Sequence, residues 1–339
     1  MGKMFKNLDI IIPTYNRAKY LKIALESLFE STAQWRKTII LNNASTDNTL
    51  EVIEEVKSQY PNRMVEVITN PTNIGNVGNF KRTQEIAENE YTAIFHDDDA
   101  IHPEYVERAM MLMMKNPEAV LAVGSVMNLY HVNHDNWDLL PNVYVEFPSK
   151  DNAFYQLLIG RPIFCTAIYK TSVYKSVSYQ PEKYGKLHDI CFMMDVTQYG
   201  SLIFLQGICG RWRQHPSSDS NTLSTGPFPK EVMNILLHIQ KLTSVRTEEL
   251  SGLRKLFHKI LVKTLIYNFS YFLYQWSLLS RFLTWDDFRA EMCEKGLFSK
   301  RDYWLWAHCI DTVCNPQIRK KQGKYWLAFH KDYDFRLGS

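Results

Sequence analysis

Cysteine is absent from the first 160 residues of this 339-residue chain, and the six that follow (Cys165, Cys191, Cys209, Cys293, Cys309 and Cys314) form no CxxC pair. That spacing argues against a zinc ribbon or a disulfide framework, and buried thiols in a reducing compartment are the simpler reading. Charge of one sign is also lacking. Lys and Arg number 39 against 36 Asp and Glu, a net +3 with no basic arm, so nucleic acid is not an expected partner. Long apolar runs are missing too. The longest, Leu265–Leu279, holds Asn268, Ser270, Gln275 and Ser277 and falls below the roughly 20 clean apolar residues a spanning helix needs. The N-terminal stretch has only a brief apolar run before Pro13, which reads as a strand rather than a signal peptide. The expectation is a cytoplasmic protein, soluble or peripheral at the inner face of a membrane. No internal repeat or low-complexity segment is visible, and a chain 45% hydrophobic and 22% charged is globular in composition.

What is present is an alternation. Leu8–Ile12, Thr38–Leu41, Met64–Thr69, Tyr91–Phe95 and Ala119–Val123 are short apolar, β-branched runs. Between them lie helical spacings over Arg17–Glu30, a segment opened by Ser45, Val77–Glu88 with Phe80 and Ile86 inward, and His102–Lys115. Strand and helix in turn predict βαβ units and a mainly parallel α/β sheet flanked by helices. Ile163–Tyr169 and Ser201–Leu205 are further strand candidates around a helix near Asp189–Tyr199, and Ser217–Ser224 reads as a loop. From Pro227 the pattern is helical and rich in aromatics. The expected division is a catalytic domain over 1–225 and a helical region over 226–339.

Ligands of parallel α/β sheets bind beyond the carboxyl ends of the strands. Four segments stand there. Asp97-Asp98-Asp99 places three adjacent carboxylates after a strand, which repel one another unless a cation offsets them. Mg²⁺ and Mn²⁺ take such oxygen ligands and bridge them to substrate phosphates; a solvated acidic turn is the alternative. Pro13-Thr14-Tyr15-Asn16-Arg17 puts a polar, aromatic turn before a helix N-terminus, which suits an anion or a base, or is an ordinary N-cap. Asn42-Asn43-Ala44-Ser45-Thr46-Asp47 follows the second strand, with Ser45 as a candidate N-cap. Asn73-Ile74-Gly75-Asn76-Val77-Gly78-Asn79 carries glycines that permit close backbone approach, but it is not a dinucleotide fingerprint.

In this order the segments resemble the N-terminal half of family 2 glycosyltransferases of the GT-A fold. The family's IIIPTYNR opening, its D-N-x-S-T-D segment and its DxD motif are matched at Ile10–Arg17, Asn42–Asp47 and Asp97–Asp99. The resemblance covers Leu8 to about Val123 well and continues more loosely to about Ser220. It implies a nucleotide-sugar donor held by Pro13, Thr14, Tyr15, Arg17, Asn42, Asn73, Gly75, Asp97 and Asp98, with Mn²⁺ or Mg²⁺ on Asp99 and His215. Asn42 replaces the family's usual Asp, the acceptor of the uracil N3–H; its amide oxygen still accepts, more weakly than a charged group, so UDP stays the favoured nucleotide. His188-Asp189 resembles the family's E-D segment, which implies Asp189 as general base; a helix N-cap is the other reading of Asp189, and Asp195 the poorer candidate for the base. Arg211-Trp212-Arg213-Gln214-His215 resembles its R-x-H segment, with Arg213 balancing phosphate charge.

The implied reaction is inverting transfer of a sugar to a glycan or lipid-linked acceptor, as in bacterial surface-polysaccharide synthesis. The acceptor is expected near Arg161–Thr166 and the C-terminal helices. There Tyr267, Phe272, Trp276 and Arg281 suit a membrane surface, while packing or homo-oligomer formation is the plainer role. Two rivals are weighed. A nucleotidyltransferase would carry a Gly-rich loop after the first strand, which Pro13–Asn16 is not. A sugar-binding scaffold without chemistry would not need the intact triplet and Asp189.

Overall fold

The computed structural model describes residues 3–129, 137–138, 140, 144–147, 164–215, 230–276, 284–297 and 299. Ser217–Ser224, Arg281, Trp304, Trp306, Trp326, Cys309 and Cys314 lie outside them. The chain divides into two compact units, Met1–Ser224 with Lys230–Ile235, and Thr225–Pro229 with Leu236–Ser339.

The first unit is built on a nine-stranded sheet. Its opening strand β1 (Met4–Thr14) is buried on both faces through Leu8, Ile10, Ile11 and Ile12, as a central parallel strand should be. Next come α1 (Ala18–Phe29), β2 (Gln34–Asn42), α2 (Thr49–Gln59), β3 (Val65–Thr69), α3 (Gly75–Ile86) and β4 (Tyr91–Ile94). Strands β3, β2, β1 and β4 lie side by side and parallel. Helix α1 covers them with Leu21, Ala24, Leu25 and Leu28, one stripe at 3.6-residue spacing.

Helix α3 departs from expectation. Phe80 and Ile86 are only half-buried, and the fully buried positions are Asn79 and Thr83. Polar side chains go inward here because hydrogen-bond partners await them: Asn79 Nδ2 donates to Leu41 O at 3.2 Å, and the Thr83 hydroxyl meets that of Tyr174 at 2.5 Å.

Beyond β4 the parallel order ends. Strand β5 (Ala100–Ile101), α4 (Tyr105–Lys115), β6 (Ala119–Leu129), β7 (Tyr144–Phe147), β8 (Ile168–Lys170), α5 (Thr171–Ser176), α6 (Pro181–Tyr184), α7 (His188–Val196) and β9 (Ser201–Arg213) complete the unit. Strand β8 is inserted between β4 and β6, antiparallel to both, and β9 is parallel to β6 but antiparallel to β5 and β7. The sheet is therefore parallel on one side and mixed on the other. Long strand–helix alternation, which signals parallel pairing, holds only as far as β6.

Strand β9 also runs eight residues beyond Leu205. Gly207, at φ 91, absorbs an irregularity that shifts the register against β6 between Gly124 and Ser125. Pairing then resumes as far as Leu129 opposite Arg213. This continuation carries Arg211, Arg213 and, just past the strand, His215 to the aspartate segment, since Ala100 of β5 pairs with Arg211.

The second unit contains most of α8 (Lys230–Glu248), with α9 (Gly252–Trp276) and α10 (Trp285–Glu294). Tyr267 is buried within it rather than turned outward, and the side chains of Phe272 and Trp276 lie outside the description. Among the described residues no helix is long and apolar enough to cross a membrane. Cys165, Cys191 and Cys209 are buried thiols, and Cys293 is half-buried.

Candidate active site

The carboxyl ends of β1, β2 and β4 meet. Thr14 is in register with Asn42, and the N–H of Phe95 donates to Ile11 O at 3.1 Å. The turn after β1 uses Asn16 in the left-handed region at φ 51, where asparagine is tolerated. Its backbone N–H donates to Ser45 Oγ at 3.0 Å, and its Oδ1 accepts from the N–H of Thr46 at 2.8 Å, so the first two loops are tied together. Ser45 is thus occupied by the neighbouring loop and does not cap α2. Asp47 does that work, accepting from the N–H of Thr49 at 3.1 Å. Its second oxygen accepts from the N–H of Ala18 at 3.2 Å, at the start of α1. One carboxylate therefore serves two helix N-termini.

Asn42 is buried. Its Oδ1 accepts from the N–H of Ser45 at 3.0 Å and its Nδ2 lies 3.4 Å from Thr69 Oγ1. Asn43 is buried beside it, donating to Asn73 Oδ1 at 2.8 Å and Gly75 O at 3.2 Å. Its own oxygen accepts from Asn70 Nδ2 at 2.8 Å and the N–H of Ile74 at 3.0 Å. Asn73 and Gly75, the latter at φ 76, are thereby held in a network of asparagines that also includes Asn79. Sequence reasoning missed this network. Its signal was the density of Asn in two loops that follow strands.

The aspartate triplet faces a basic group. Asp98 Oδ2 accepts from Arg17 Nη1 at 3.2 Å and stands 3.0 Å from His215 Nε2, while Arg17 Nη1 and His215 Nε2 are 2.7 Å apart. Tyr20 of α1 stacks on His215 with centroids 4.5 Å apart, and the Arg213 guanidinium lies over the same Tyr20 ring. Arg213 donates its N–H to Asp99 Oδ1 at 2.8 Å and its Nε–H to Asp98 O at 2.7 Å.

His96, given no role by the sequence reading, sits 3.0 Å from Asp99 Oδ2 through Nδ1, with its ring stacked on Phe164 and edge-on to Phe80. Burial works against a charge on His96, but the adjoining Asp99 carboxylate and the charges of Asp98 and Asp97 lift it to about 9. Burial and the negative charge of Asp98 push Asp97 up to about 7. Burial, then Asp98, also raise Asp99. Burial opposes ionisation of Asp98 too, yet His215, His96 and Arg17 hold it below its ordinary value. The three carboxylates are therefore shifted in different directions although they are neighbours in sequence.

The ligand atoms of His96, Asp98 and Asp99 lie within 4.8 Å of one another. Oδ2 of buried Asp99 takes no aligned hydrogen bond among the described residues, close as His96 stands. A buried carboxylate oxygen in that condition, beside a second carboxylate and an imidazole, fits a divalent cation. His215 is not in this group. In this arrangement its Nε2 is turned to Asp98 and Arg17.

Asp189 opens the first turn of α7 and is half-buried. Desolvation raises its carboxyl above the usual value, against the opposing effects of His188, the N–H of Ile190 and His96. A row of rings joins its surroundings to the triplet: Tyr179 is edge-on to His188 and stacked on Phe80, which in turn touches His96. Tyr15, by contrast, is exposed, while Thr14 is buried.

The sheet's strand ends thus converge on clustered carboxylates and arginines, the charged end of an α/β fold. Comparison with known proteins makes this specific. The sequence model described as Glycosyl transferase family 2 matches residues 9–178, half of the chain, and the chain belongs to that family. An uncharacterised glycosyltransferase of Mycoplasma pneumoniae is 38% identical over 99 residues, 28% of this chain and 32% of that protein. The uncharacterised glycosyltransferase YibD of Escherichia coli is 29% identical over 109 residues, 32% and 31% of the two chains. The matched stretch thus spans about a third of these curated relatives. Among solved structures, TarS residues 1–349 of S. aureus in complex with UDP-GlcNAc aligns with a TM-score of 0.56 at 17% identity, covering 80% of this chain and 74% of that one. At that identity the likeness establishes the GT-A-type fold.

Proposed function

We propose that this protein is an inverting glycosyltransferase that moves a sugar from a nucleoside diphosphate sugar, a UDP-sugar by preference, to a hydroxyl of a glycan or lipid-linked acceptor. The observation that carries this reading is the meeting of Asp97–Asp99 with Arg17, Arg213 and His215 at the carboxyl ends of the sheet strands. Carboxylates to hold a cation and arginines to balance phosphate are what a sugar diphosphate requires. TarS supports the choice of nucleotide as a similar fold determined with UDP-GlcNAc.

His96, Asp98 and Asp99 would hold Mn²⁺ or Mg²⁺. When bound, such an ion supplies Lewis-acid stabilisation of the departing diphosphate. Arg17 and Arg213 add positive charge beside the same phosphates, and Tyr15 offers an exposed ring to the base. Asp189, ionised, takes the proton of the acceptor hydroxyl as its oxygen bonds to the anomeric carbon. The bond from that carbon to the diphosphate oxygen breaks, and the electron pair leaves with the diphosphate. Loss of water around Asp189 makes it a stronger base than a solvated aspartate.

The test pairs binding with turnover. UDP, GDP, CDP and dTDP are screened by thermal shift with and without Mn²⁺, and the stabilising nucleotide's sugars are assayed for release. A metal-dependent shift with one nucleotide and release of that nucleotide support the reading. Full turnover by Asp189→Asn would remove the base from it.

A further inference from the structure

Helix α9 is apolar on two opposite sides. One side is packed: Val262 and Ile266 are buried, His258 Nδ1 meets Thr247 Oγ1 at 2.9 Å, and Lys255 pairs with Glu248 at 2.9 Å at the end of α8. The other side faces outward. Leu253, Leu256, Phe257, Ile260 and Leu261 follow one another at i, i+3, i+4, i+7 and i+8, a single stripe on a 3.6-residue helix. They are 71%, 52%, 67%, 45% and 47% exposed, so five large side chains in one row meet solvent. Exposed apolar residues scattered singly need no explanation, but a contiguous row does.

Charge indicates what covers it. At 100° per residue, Arg254 borders one edge of the stripe, and Lys259 and Lys263 border the other. Helix α9 contains no Asp or Glu at all. The nearest acidic residues before it are Glu248 and Glu249, and Glu248 is the partner of Lys255. A helix with an outward apolar stripe, basic borders and no acid fits the boundary between anionic headgroups and acyl chains. We infer that this face of α9 lies in an anionic lipid surface, with the stripe in the acyl boundary and Arg254, Lys259 and Lys263 among the headgroups. The site differs from the aromatic set around Tyr267, which is buried, and it stands whether or not the proposed transfer reaction is correct.

The test is co-sedimentation of the full chain with vesicles of phosphatidylcholine alone or with about 30 mol % phosphatidylglycerol, at low and high salt. The expected result is binding to the anionic vesicles on the order of 100-fold tighter than to the neutral ones, weakened by salt. Leu256→Gln with Phe257→Gln lowers that binding at least about tenfold, and Lys259→Gln with Lys263→Gln removes most of the preference for anionic lipid. Unchanged melting curves for both pairs show that the fold is intact. Failure of the wild-type chain to sediment with anionic vesicles overturns the inference. So does a dimer in light scattering that Leu256→Gln with Phe257→Gln dissociates, since a second copy would then cover the stripe.

Discussion

Nδ1 of His96 stands 3.0 Å from Oδ2 of Asp99. Both groups belong to the set that would hold a cation in the proposed mechanism. Replacing Asp99 by Asn keeps its shape and removes the charge. The expected outcome is loss of the metal-dependent part of the UDP thermal shift and a fall in kcat of about 10²–10³. An Asp99→Asn variant with full Mn²⁺-dependent turnover would exclude Asp99 as ligand.

Asp189 yields a pH prediction. Desolvation raises its carboxyl above the ordinary 3.8, and the base must be ionised to accept a proton. Activity is therefore full at higher pH and falls as pH drops through the raised value. The acid limb of kcat/KM is expected above 3.8 in wild type. Asp189→Asn should abolish that limb and lower kcat by about 10²–10⁴, while the nucleotide thermal shift is kept. An acid limb that survives in Asp189→Asn would belong to another group.

Ala44 adopts φ 58, a left-handed backbone that costs an alanine about 1–2 kcal/mol. Ala44→Gly removes that strain, offset in part by the greater freedom of glycine in the unfolded chain. The expected gain is about 0.5–1 kcal/mol, read as a rise in Tm of about 1–4 °C for a unit of this size. A lower Tm would show that the alanine methyl is packed rather than strained.

Asp47 caps α1 through Ala18 and α2 through Thr49. Removing one such cap typically costs about 1 kcal/mol, so Asp47→Ala is expected to destabilise by about 1–2 kcal/mol. Burial, the largest single influence, disfavours its charge, but the bonds from Thr49 and Ala18 together hold its pKa below the ordinary value. The stability it contributes is complete above the unfolded pKa and is lost as pH falls through the lower folded value. Melting curves of wild type and Asp47→Ala should therefore differ near neutrality and converge in strong acid.

Much of this was legible in the chain because the relevant signals are local. Periodicity marked β1, α1, β2, α2, β3 and β4, and a polar segment after each strand marked the site. Three things were not local. The direction of β8 depends on strands far from it in sequence, so alternation, which ends near residue 125, said nothing of how the second half of the sheet pairs. Ser45 looked like a cap, but Asn16, 29 residues earlier, claims its hydroxyl. His96 gave no sign of its role because an imidazole beside three aspartates acquires meaning only when Phe164 and Phe80 enclose it.

The partners of the aspartate triplet are distant along the chain. Arg17 meets His215 across 198 residues, and Arg213 reaches Asp99 across 114. During synthesis the triplet emerges long before β9 can exist, so for that interval its carboxylates have Arg17 and His96 but neither Arg213 nor His215. Contacts of such long separation form slowly, because the closure entropy comes before the reward. Docking of the last strand is then both a folding event and the moment at which the charge of the site is balanced. A ribosome-stalled chain ending before Arg211 would hold the loops after β1 and β2 without Arg213 and His215 opposite them.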